Sequence, residues 1–150
     1  MKANQKQINE FLSFRHIALV GASRDSKKFG NQVLTQLVSE GYIVYPVHRE
    51  ADQINGIRCF RSLDELPADV KSVCLVTPKN QTDELLKKVL HQGIDQIWIQ
   101  QMSEGPESKR IASETKANIV MGRCIFMYTN PSGVHKFHMR LNKLFGTYAR

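Results

Sequence analysis

The sequence lacks the features that define membrane, secreted and zinc-stabilised proteins. No apolar run approaches the ~20 residues that a membrane span requires, and residues 1–7 are too polar for a secretory signal. The three cysteines are odd in number and include no C-x-x-C pair, so the sequence predicts neither a disulfide framework nor a zinc site. We therefore expect a cytoplasmic protein with reduced cysteines, folded as one domain over residues 1–150.

Acidic residues are also scarce relative to basic ones, and 14 against 21 give a net charge of +7. Such a surplus suits either nucleic acid or a small polyanion such as a nucleotide. The basic residues are spread along the chain except near its end, where the concentration comprises His135, Lys136, His138, Arg140, Lys143 and Arg150. No RNA-binding aromatic motif, helix-turn-helix or zinc finger accompanies them, so the sequence favours the small anion over nucleic acid. Two of these histidines have a spacing that suits a shared metal, but without a third ligand no metal site is predicted.

The most informative segment is a strand, a turn and a helix near the start of the chain. Four apolar residues at 17–20 predict a buried strand that stops at Gly21, and helical spacing begins at Gly30. This arrangement forms an anion site in nucleotide-binding α/β folds. Gly21 lets the backbone approach a pyrophosphate, Ala22 adds little bulk and Ser23 offers a hydroxyl.

The turn departs from the two standard phosphate-binding motifs. Position 23 is Ser where G-x-G-x-x-G needs glycine, and Ser26 precedes Lys27 where a P-loop needs glycine. Lys27 nevertheless brings positive charge to the loop. From these residues alone, a phosphate site and a purely structural turn both stay open.

Strand and helix patterns alternate along the rest of the chain. Strands are predicted at 17–20, 42–47, 70–77, 94–100 and 119–121, with a polar turn at 52–56 and a minor strand at 58–60. Helices are predicted at 8–14, 30–40 and 81–91, from about 106 and after 133, with Asn80 as a cap and a capping box at 62–65. The pattern predicts a single doubly wound α/β domain whose five-stranded, mainly parallel sheet is covered on both faces.

Ligands of such sheets lie beyond the carboxyl ends of the strands. A NAD-binding domain usually has an acid after its second strand, to accept a hydrogen bond from the ribose. Here Val47 is followed by His48 and Arg49, and Glu50 comes late. The two cationic side chains favour NADP or coenzyme A, which carry an extra phosphate, over NAD. The alternative is that Arg49 is an ordinary solvated loop residue.

Few residues suggest chemistry of their own. Cys124 follows the fifth strand, where Arg123 would activate a thiolate, although a packed structural thiol is the more common case. Trp98 lies between two isoleucines in a predicted strand and is expected to pack in the core. No Ser/His/Asp, Cys/His or paired-carboxylate arrangement is present, so the sequence does not support catalysis.

Several segments together resemble the stand-alone coenzyme A-binding Rossmann proteins, which are related to the nucleotide-binding domain of succinyl-CoA ligase alpha subunits. The resemblance extends from about Ile17 to Ile125. The segments that carry it, in order, are 20–23 with Gly30, 40–47, 54–57, 62–67, 76–78, 93–100 and 123–124. Each is weak by itself, whereas their order and spacing are specific.

The resemblance implies a role for each strand end. The phosphates would be held by Gly21, Ala22 and Ser23, with Lys27 and Gly30 in the same turn. The adenosine would lie beside Val47, His48 and Arg49. The pantetheine would contact Thr77 and Pro78, and its thiol end would lie near Gln100 and Cys124. One departure stands out, because the family commonly has Val-Asn-Pro where this chain has Val47-His48-Arg49.

We therefore predict a module that binds coenzyme A or an acyl-CoA as a sensor, carrier or regulator. An NAD(P)-binding redox protein on the same fold is the alternative. A partner enzyme or a second copy of the chain stays open as a protein partner. The ligase relatives carry a further domain with a phosphorylated histidine that residues 1–150 do not include, so the resemblance does not imply ligase chemistry.

Overall fold

Five parallel strands form the centre of the computed structural model, which describes residues 2–129. The strands of the chain are β1 (His16–Val20), β2 (Ile43–Val47), β3 (Gln53–Ile54), β4 (Ile57–Arg58), β5 (Ser72–Leu75), β6 (Gln96–Gln100) and β7 (Asn118–Arg123). The α-helices are α1 (Gln5–Ser13), α2 (Phe29–Ser39), α3 (Lys79–His91) and α4 (Ser108–Ser113), and short 3₁₀ turns span Leu63–Glu65 and Ile125–Met127.

The sheet has the strand order β2-β1-β5-β6-β7, and every neighbouring pair is parallel. The chain moves outward from β1 to β2 and then returns across β1 to β5 before it continues in the other direction. This reversal makes a topological switch point between β1 and β5, where ligands of doubly wound sheets bind. The predicted Rossmann-like α/β class with a five-stranded sheet is confirmed.

The apolar strands are buried on both faces because helices cover the sheet from two sides. Helices α1 and α2 pack on one face, against residues that include Ile17, Leu19 and Trp98. Helices α3 and α4 pack on the other, against residues that include Ala18 and Ile97. Trp98 is fully buried with its ring edge-on to Phe11, as expected of a core residue.

Helices α1 and α3 begin earlier than the sequence predicts, for reasons that lie in their caps. Helix α1 begins at Gln5 rather than residue 8, because Asn4 and Gln7 form a capping box ahead of its apolar face. Helix α3 begins at Lys79 with Pro78 at the cap, so Asn80 lies inside the helix and is not its cap. Proline fixes its own backbone near the required angle and needs no hydrogen-bond donor there.

The predicted capping box at 62–65 is wrong in its contacts. Ser62 makes no side-chain cap, and the Glu65 carboxylate instead accepts a hydrogen bond from the backbone N–H of Arg61, at 2.9 Å. The strand predicted at 70–77 is shorter in the structure, as β5, and the strand predicted at 119–121 is longer, as β7. The predicted helix after Gly133 and the histidine pair at 135 and 138 lie outside the described residues.

A small hairpin replaces the predicted turn and minor strand. Strands β3 and β4 pair antiparallel, and Asn55 and Gly56 between them both have positive φ, the geometry that an Asn-Gly dipeptide favours. Beyond the hairpin, Phe60 forms a parallel bridge with Val47 at the end of β2. The hairpin therefore brings the chain back to the sheet edge where β2 ends.

None of the helices within residues 2–129 is long and apolar enough to cross a bilayer.

Three backbone segments approach one another closely where β1 turns into α2. A Cβ atom placed on Gly30 would lie 1.9 Å from the carbonyl oxygen of Gly21, and one on Gly21 would lie 1.8 Å from the carbonyl oxygen of Val76. Real Cβ atoms do not approach so closely, so both positions need glycine. Gly21 also has φ +101°, a conformation that other residues rarely adopt.

We predict that Gly30→Ala destabilises the protein, the reverse of the usual effect of this substitution inside a helix. An ordinary helical Gly→Ala change stabilises by about 1 kcal/mol, whereas overpacking against the Gly21 carbonyl should cost about 3 kcal/mol or more. Urea unfolding followed by circular dichroism measures the difference.

Gly93→Ala is the control, because Gly93 has open space around its Cβ position and only a positive φ, +79°. It should lose about 1 kcal/mol. A Gly30→Ala variant as stable as the natural protein would show that the close approach is not needed.

Candidate functional site

A cavity of about 960 Å³ lies at the switch point, beyond the carboxyl ends of β1, β2 and β5. Its volume is at the upper end of the ~300–1,000 Å³ typical of small-molecule sites. Its lining includes one side of α3 and four segments, which are Val20, Gly21, Ala22 and Arg24 at the end of β1, Val47 to Glu50 at the end of β2, Arg61 to Asp64, and Thr77 and Pro78 after β5. The helix contributes Gln81, Glu84, Leu85, Lys87, Lys88, His91 and Gln92.

The turn between β1 and α2 is folded by its own side chains. The Ser23 hydroxyl accepts a hydrogen bond from the backbone N–H of Asp25, at 3.1 Å, and the Asp25 carboxylate accepts one from that of Lys27, at 2.9 Å. The side-chain amide of Asn31 donates to the Ser23 carbonyl, at 2.9 Å. Among residues 2–129, the N–H groups of Ala22, Ser23 and Arg24 donate to no other group. Ala22 and Arg24 line the cavity, so their unused N–H groups are suited to an anion there.

The role of Gly21 is broader than the sequence suggested. Its missing side chain was expected to let a ligand approach, but it also lets the turn pack directly against the backbone at Val76. Ser23, Lys27 and Gly30 belong to the same turn without lining the cavity themselves. Their contribution is to shape the turn, and the Lys27 side chain is exposed.

The loop after β2 is fixed through His48. The Nδ1 atom of its ring accepts hydrogen bonds from the backbone N–H groups of Glu50, at 3.1 Å, and Ala51, at 2.9 Å. Its own backbone N–H donates to the Phe60 carbonyl, at 2.8 Å. The predicted adenosine-flanking segment is therefore an ordered loop, with the imidazole folded back onto its backbone.

The Arg61 side chain also holds this loop in place through hydrogen bonds. One guanidinium nitrogen donates to the Arg49 carbonyl, at 2.8 Å, and another pairs with the Asp52 carboxylate, at 2.6 Å. The backbone of Arg49 is thus held in place. Its exposed guanidinium makes no hydrogen bond or ion pair among residues 2–129 and is available to a ligand.

Most other charges around the cavity are already paired. Arg24 faces Glu50 at 3.6 Å, and Lys87 contacts Glu84 and Glu107 at 3.2 and 3.0 Å. Hydrogen bonds to Glu107 and Glu84 raise the pKa of Lys87. The lining has five Lys and Arg side chains against three carboxylates, so the cavity is positively charged. Lys88 joins Arg49 as a lining cation with no partner in the described part of the chain.

Two predicted site residues line a separate, smaller cavity. Gln100 and Cys124 lie with Phe29, Val76, Gln101, Met102 and Ser103 around a space of about 340 Å³ at the ends of β6 and β7. The side-chain oxygen of Gln100 accepts a hydrogen bond from the backbone N–H of Ile125, at 3.0 Å. This cavity is at the same sheet edge as the main one, and Val76, the residue before Thr77, is part of its lining.

The structure does not support an activated thiolate at Cys124. Burial raises the pKa of the Cys124 thiol, so the neutral thiol is favoured. The Nε group of Arg123 donates to the Ala3 carbonyl, at 3.1 Å. The three cysteines are all buried and unpaired by disulfides, which agrees with Cys124 as a packing residue.

Seven of the twelve predicted site residues are brought together around the main cavity: Gly21, Ala22, Val47, His48, Arg49, Thr77 and Pro78. Sequence reasoning missed the contributions of α3 and of Arg61. The spacing of Gln81, Leu85 and Lys88 is a signal for α3, since these residues share one helix face directly after a strand end. No local pattern distinguishes Arg61, because its contacts are set by the return of the chain to β2.

Comparisons with known proteins agree with this geometry. The chain is 29% identical over 154 residues to the alpha subunit of ADP-forming acetate–CoA ligase II of Pyrococcus furiosus, an alignment that covers 95% of this chain and 32% of that protein. The chain therefore spans about a third of the length of that curated relative.

Solved structures of similar proteins include one of comparable size. A conserved hypothetical protein of Pyrococcus furiosus is 38% identical and superimposes with a TM-score of 0.73, over 77% of this chain and 100% of that one. The dinucleotide forming acetyl-coenzyme A synthetase 1 of Ca. Korarchaeum cryptofilum is 26% identical with a TM-score of 0.56, over 67% of this chain and 22% of that one.

The family assignment rests on a match to most of the described structure. The model of the CoA binding domain family matches residues 15–130, a segment that includes the whole sheet and both cavities. The resemblance inferred from the sequence is confirmed: this chain belongs to the CoA binding domain family.

Proposed function

We propose that this chain binds coenzyme A, or an acyl derivative of it, at the carboxyl edge of β1, β2 and β5. The observation that carries the proposal is the combination of unused backbone donors after β1 with an unpaired guanidinium after β2, on two walls of one cavity. Coenzyme A has phosphates at two separated places, a pyrophosphate and a ribose 3′-phosphate. The two groups of donors match that division of charge.

The pyrophosphate is assigned to the turn after β1. The N–H groups of Ala22 and Arg24 belong to a turn that the Ser23 hydroxyl and the Asp25 carboxylate stabilise. Donors fixed in advance bind an anion without an ordering cost at the moment of binding. The start of α2 adjoins the turn and contributes the positive end of its dipole.

The 3′-phosphate is assigned to Arg49. A guanidinium on an anchored backbone binds phosphate through paired, charge-assisted hydrogen bonds. The nearby acid that a NAD site would use, Glu50, faces Arg24 instead. The charge around the end of β2 therefore supports coenzyme A more than NAD.

The pantetheine arm is assigned to the wall formed by Thr77 and Pro78. The Thr77 hydroxyl forms a hydrogen bond with the Thr82 hydroxyl, at 2.7 Å, so it already has a partner. With the apolar ring of Pro78 beside it, this wall suits a chain that has both polar and apolar groups. From there the thiol end would continue toward Gln100 and Cys124 in the smaller cavity.

A binding module is the role we infer for residues 1–150, with the ligand sensed, carried or presented to another protein. The sequence similarity to a ligase alpha subunit supports a partner enzyme, and a second copy of the chain is the other candidate. The three unpaired, buried cysteines support a reducing compartment such as the cytoplasm.

Arg49→Ala should weaken coenzyme A binding about tenfold, which corresponds to 1.4 kcal/mol, and should leave dephospho-coenzyme A binding nearly unchanged. The reason is that only coenzyme A carries the phosphate assigned to this guanidinium. Isothermal titration calorimetry of the natural protein and the variant with coenzyme A, dephospho-coenzyme A, NAD and NADP measures these affinities.

Arg58→Ala is the matched control, because it removes the same charge from a residue outside the cavity that stacks over Phe60. It should bind coenzyme A like the natural protein. Equal weakening of both coenzymes by Arg49→Ala would remove Arg49 as the phosphate reader. Tighter binding of NAD or NADP than of coenzyme A would overturn the proposed function in favour of a redox protein.

Ser23→Asp should weaken coenzyme A at least tenfold, because it adds a negative charge beside the proposed pyrophosphate. Its carboxylate retains the acceptor that caps the turn, and Ser23→Asn retains that acceptor without the charge. We therefore expect Ser23→Asn to bind nearly as well as the natural protein in the same titration. Equal affinities of the Asp and Asn variants would place the pyrophosphate elsewhere.

A further inference from the structure

We infer that His48 is a positioning residue that holds the phosphate-reading loop in place only while its Nδ1 atom is unprotonated, which makes ligand binding weaker at acidic pH. The inference rests on the proposed binding of coenzyme A and extends it to regulation of the same site. It follows from the two backbone N–H groups, of Glu50 and Ala51, that converge on Nδ1.

The direction of these hydrogen bonds fixes the state of the ring. A backbone N–H can only donate, so Nδ1 must be the acceptor and the ring proton of the neutral form must be on Nε2. A proton on Nδ1 would face two donors and leave all three groups without an acceptor. The neutral imidazole therefore acts here as an asparagine side chain does in a turn, with an acceptor attached to Cγ.

The His48 ring is the acceptor for two backbone N–H groups of the loop, whereas other contacts hold the Arg49 carbonyl and the two ends of the loop. The His48 backbone N–H is bonded to Phe60, and Arg61 holds the Arg49 carbonyl and the Asp52 carboxylate. The N–H groups of Glu50 and Ala51 have the imidazole as their partner. Loss of this acceptor would leave both N–H groups without a partner and loosen the loop directly after Arg49, whose carbonyl Arg61 alone would then hold.

Charges around the ring come from several elements. The loop after β2 contributes Arg49, Glu50 and Asp52, the turn after β1 contributes Arg24, and the segment after β4 contributes Arg61. Asp64 and, on α3, Glu84, Lys87, Lys88 and His91 line the rest of the cavity. A protonated His48 would add to a surrounding surplus of positive charge while it lost both hydrogen bonds.

The hydrogen bonds of His48, rather than its charge, set the expected direction of the pH effect. A histidine that becomes charged at lower pH ordinarily attracts phosphate. In the structure, the same protonation removes the acceptor on which the loop depends. Acidification should therefore lower the affinity rather than raise it.

Two substitutions separate the acceptor from the rest of the side chain. His48→Asn keeps an oxygen acceptor at the position of Nδ1 and does not titrate. His48→Gln is also neutral and polar, but its oxygen lies one bond farther from the backbone, at the position of Nε2. At pH 8, His48→Asn should bind coenzyme A within twofold of the natural protein, and His48→Gln should bind at least fivefold more weakly.

The closing experiment is a calorimetric titration of the natural protein, His48→Asn and His48→Gln with coenzyme A between pH 5.5 and 8. Phosphate protonation, with a second pKa of about 6, affects all three proteins alike, so the ratio of affinities isolates His48. We expect the natural protein to weaken relative to His48→Asn by at least fivefold on going from pH 8 to pH 5.5. The ratio of His48→Gln to His48→Asn should stay constant.

The outcomes distinguish this inference from the proposed function. A natural protein that binds no coenzyme A at any pH refutes the proposed function. If it binds, but tightens relative to His48→Asn at pH 5.5 or keeps a constant ratio, the positioning role is refuted. Combining His48→Gln with Arg49→Ala gives a second test, since residues that act together should be non-additive. Fully additive losses would show that His48 does not act through Arg49.

Discussion

The close approach of three backbones at Gly21, Gly30 and Val76 is the constraint on which the rest of the structure depends. The first turn of α2 lies on the turn after β1, and that turn lies on the segment after β5. No side chain separates these layers. As a result, the free N–H groups of the turn, the start of α2 and the end of β5 meet at one place at the sheet edge.

Most cationic side chains of the cavity at that edge are paired with carboxylates, so few of them are available to a ligand. Arg24, Arg61 and Lys87 have carboxylate partners, and those pairs are exposed and individually weak. Their importance is geometric, because they hold loops and leave Arg49 and Lys88 as the available lining cations among the described residues. Specificity for a phosphate then depends on where the Arg49 backbone is fixed, which is a property of His48 and Arg61 together.

Much of the fold could be predicted because the signals for it are local. Apolar runs such as that at 17–20 identify strands buried on both faces, and alternation with helices then leads to a parallel sheet. The boundaries were less predictable, because helix α3 begins at Lys79 with Pro78 as its cap and uses no polar side chain there. The Asn55-Gly56 hairpin had a recognisable dipeptide, but its strands have only two residues each and no clear alternation.

The sequence by itself determined the class of fold, the strand ends that meet at the switch point and the presence of cations where a ribose-binding acid would stand. Only the tertiary structure decided how those groups are used. It separated Gln100 and Cys124 into a second cavity, raised the pKa of the Cys124 thiol by burial, and turned the His48 ring back onto its own loop. The reason is that a strand or helix pattern depends on neighbours along the chain, whereas burial and hydrogen-bond partners depend on segments that fold back from elsewhere.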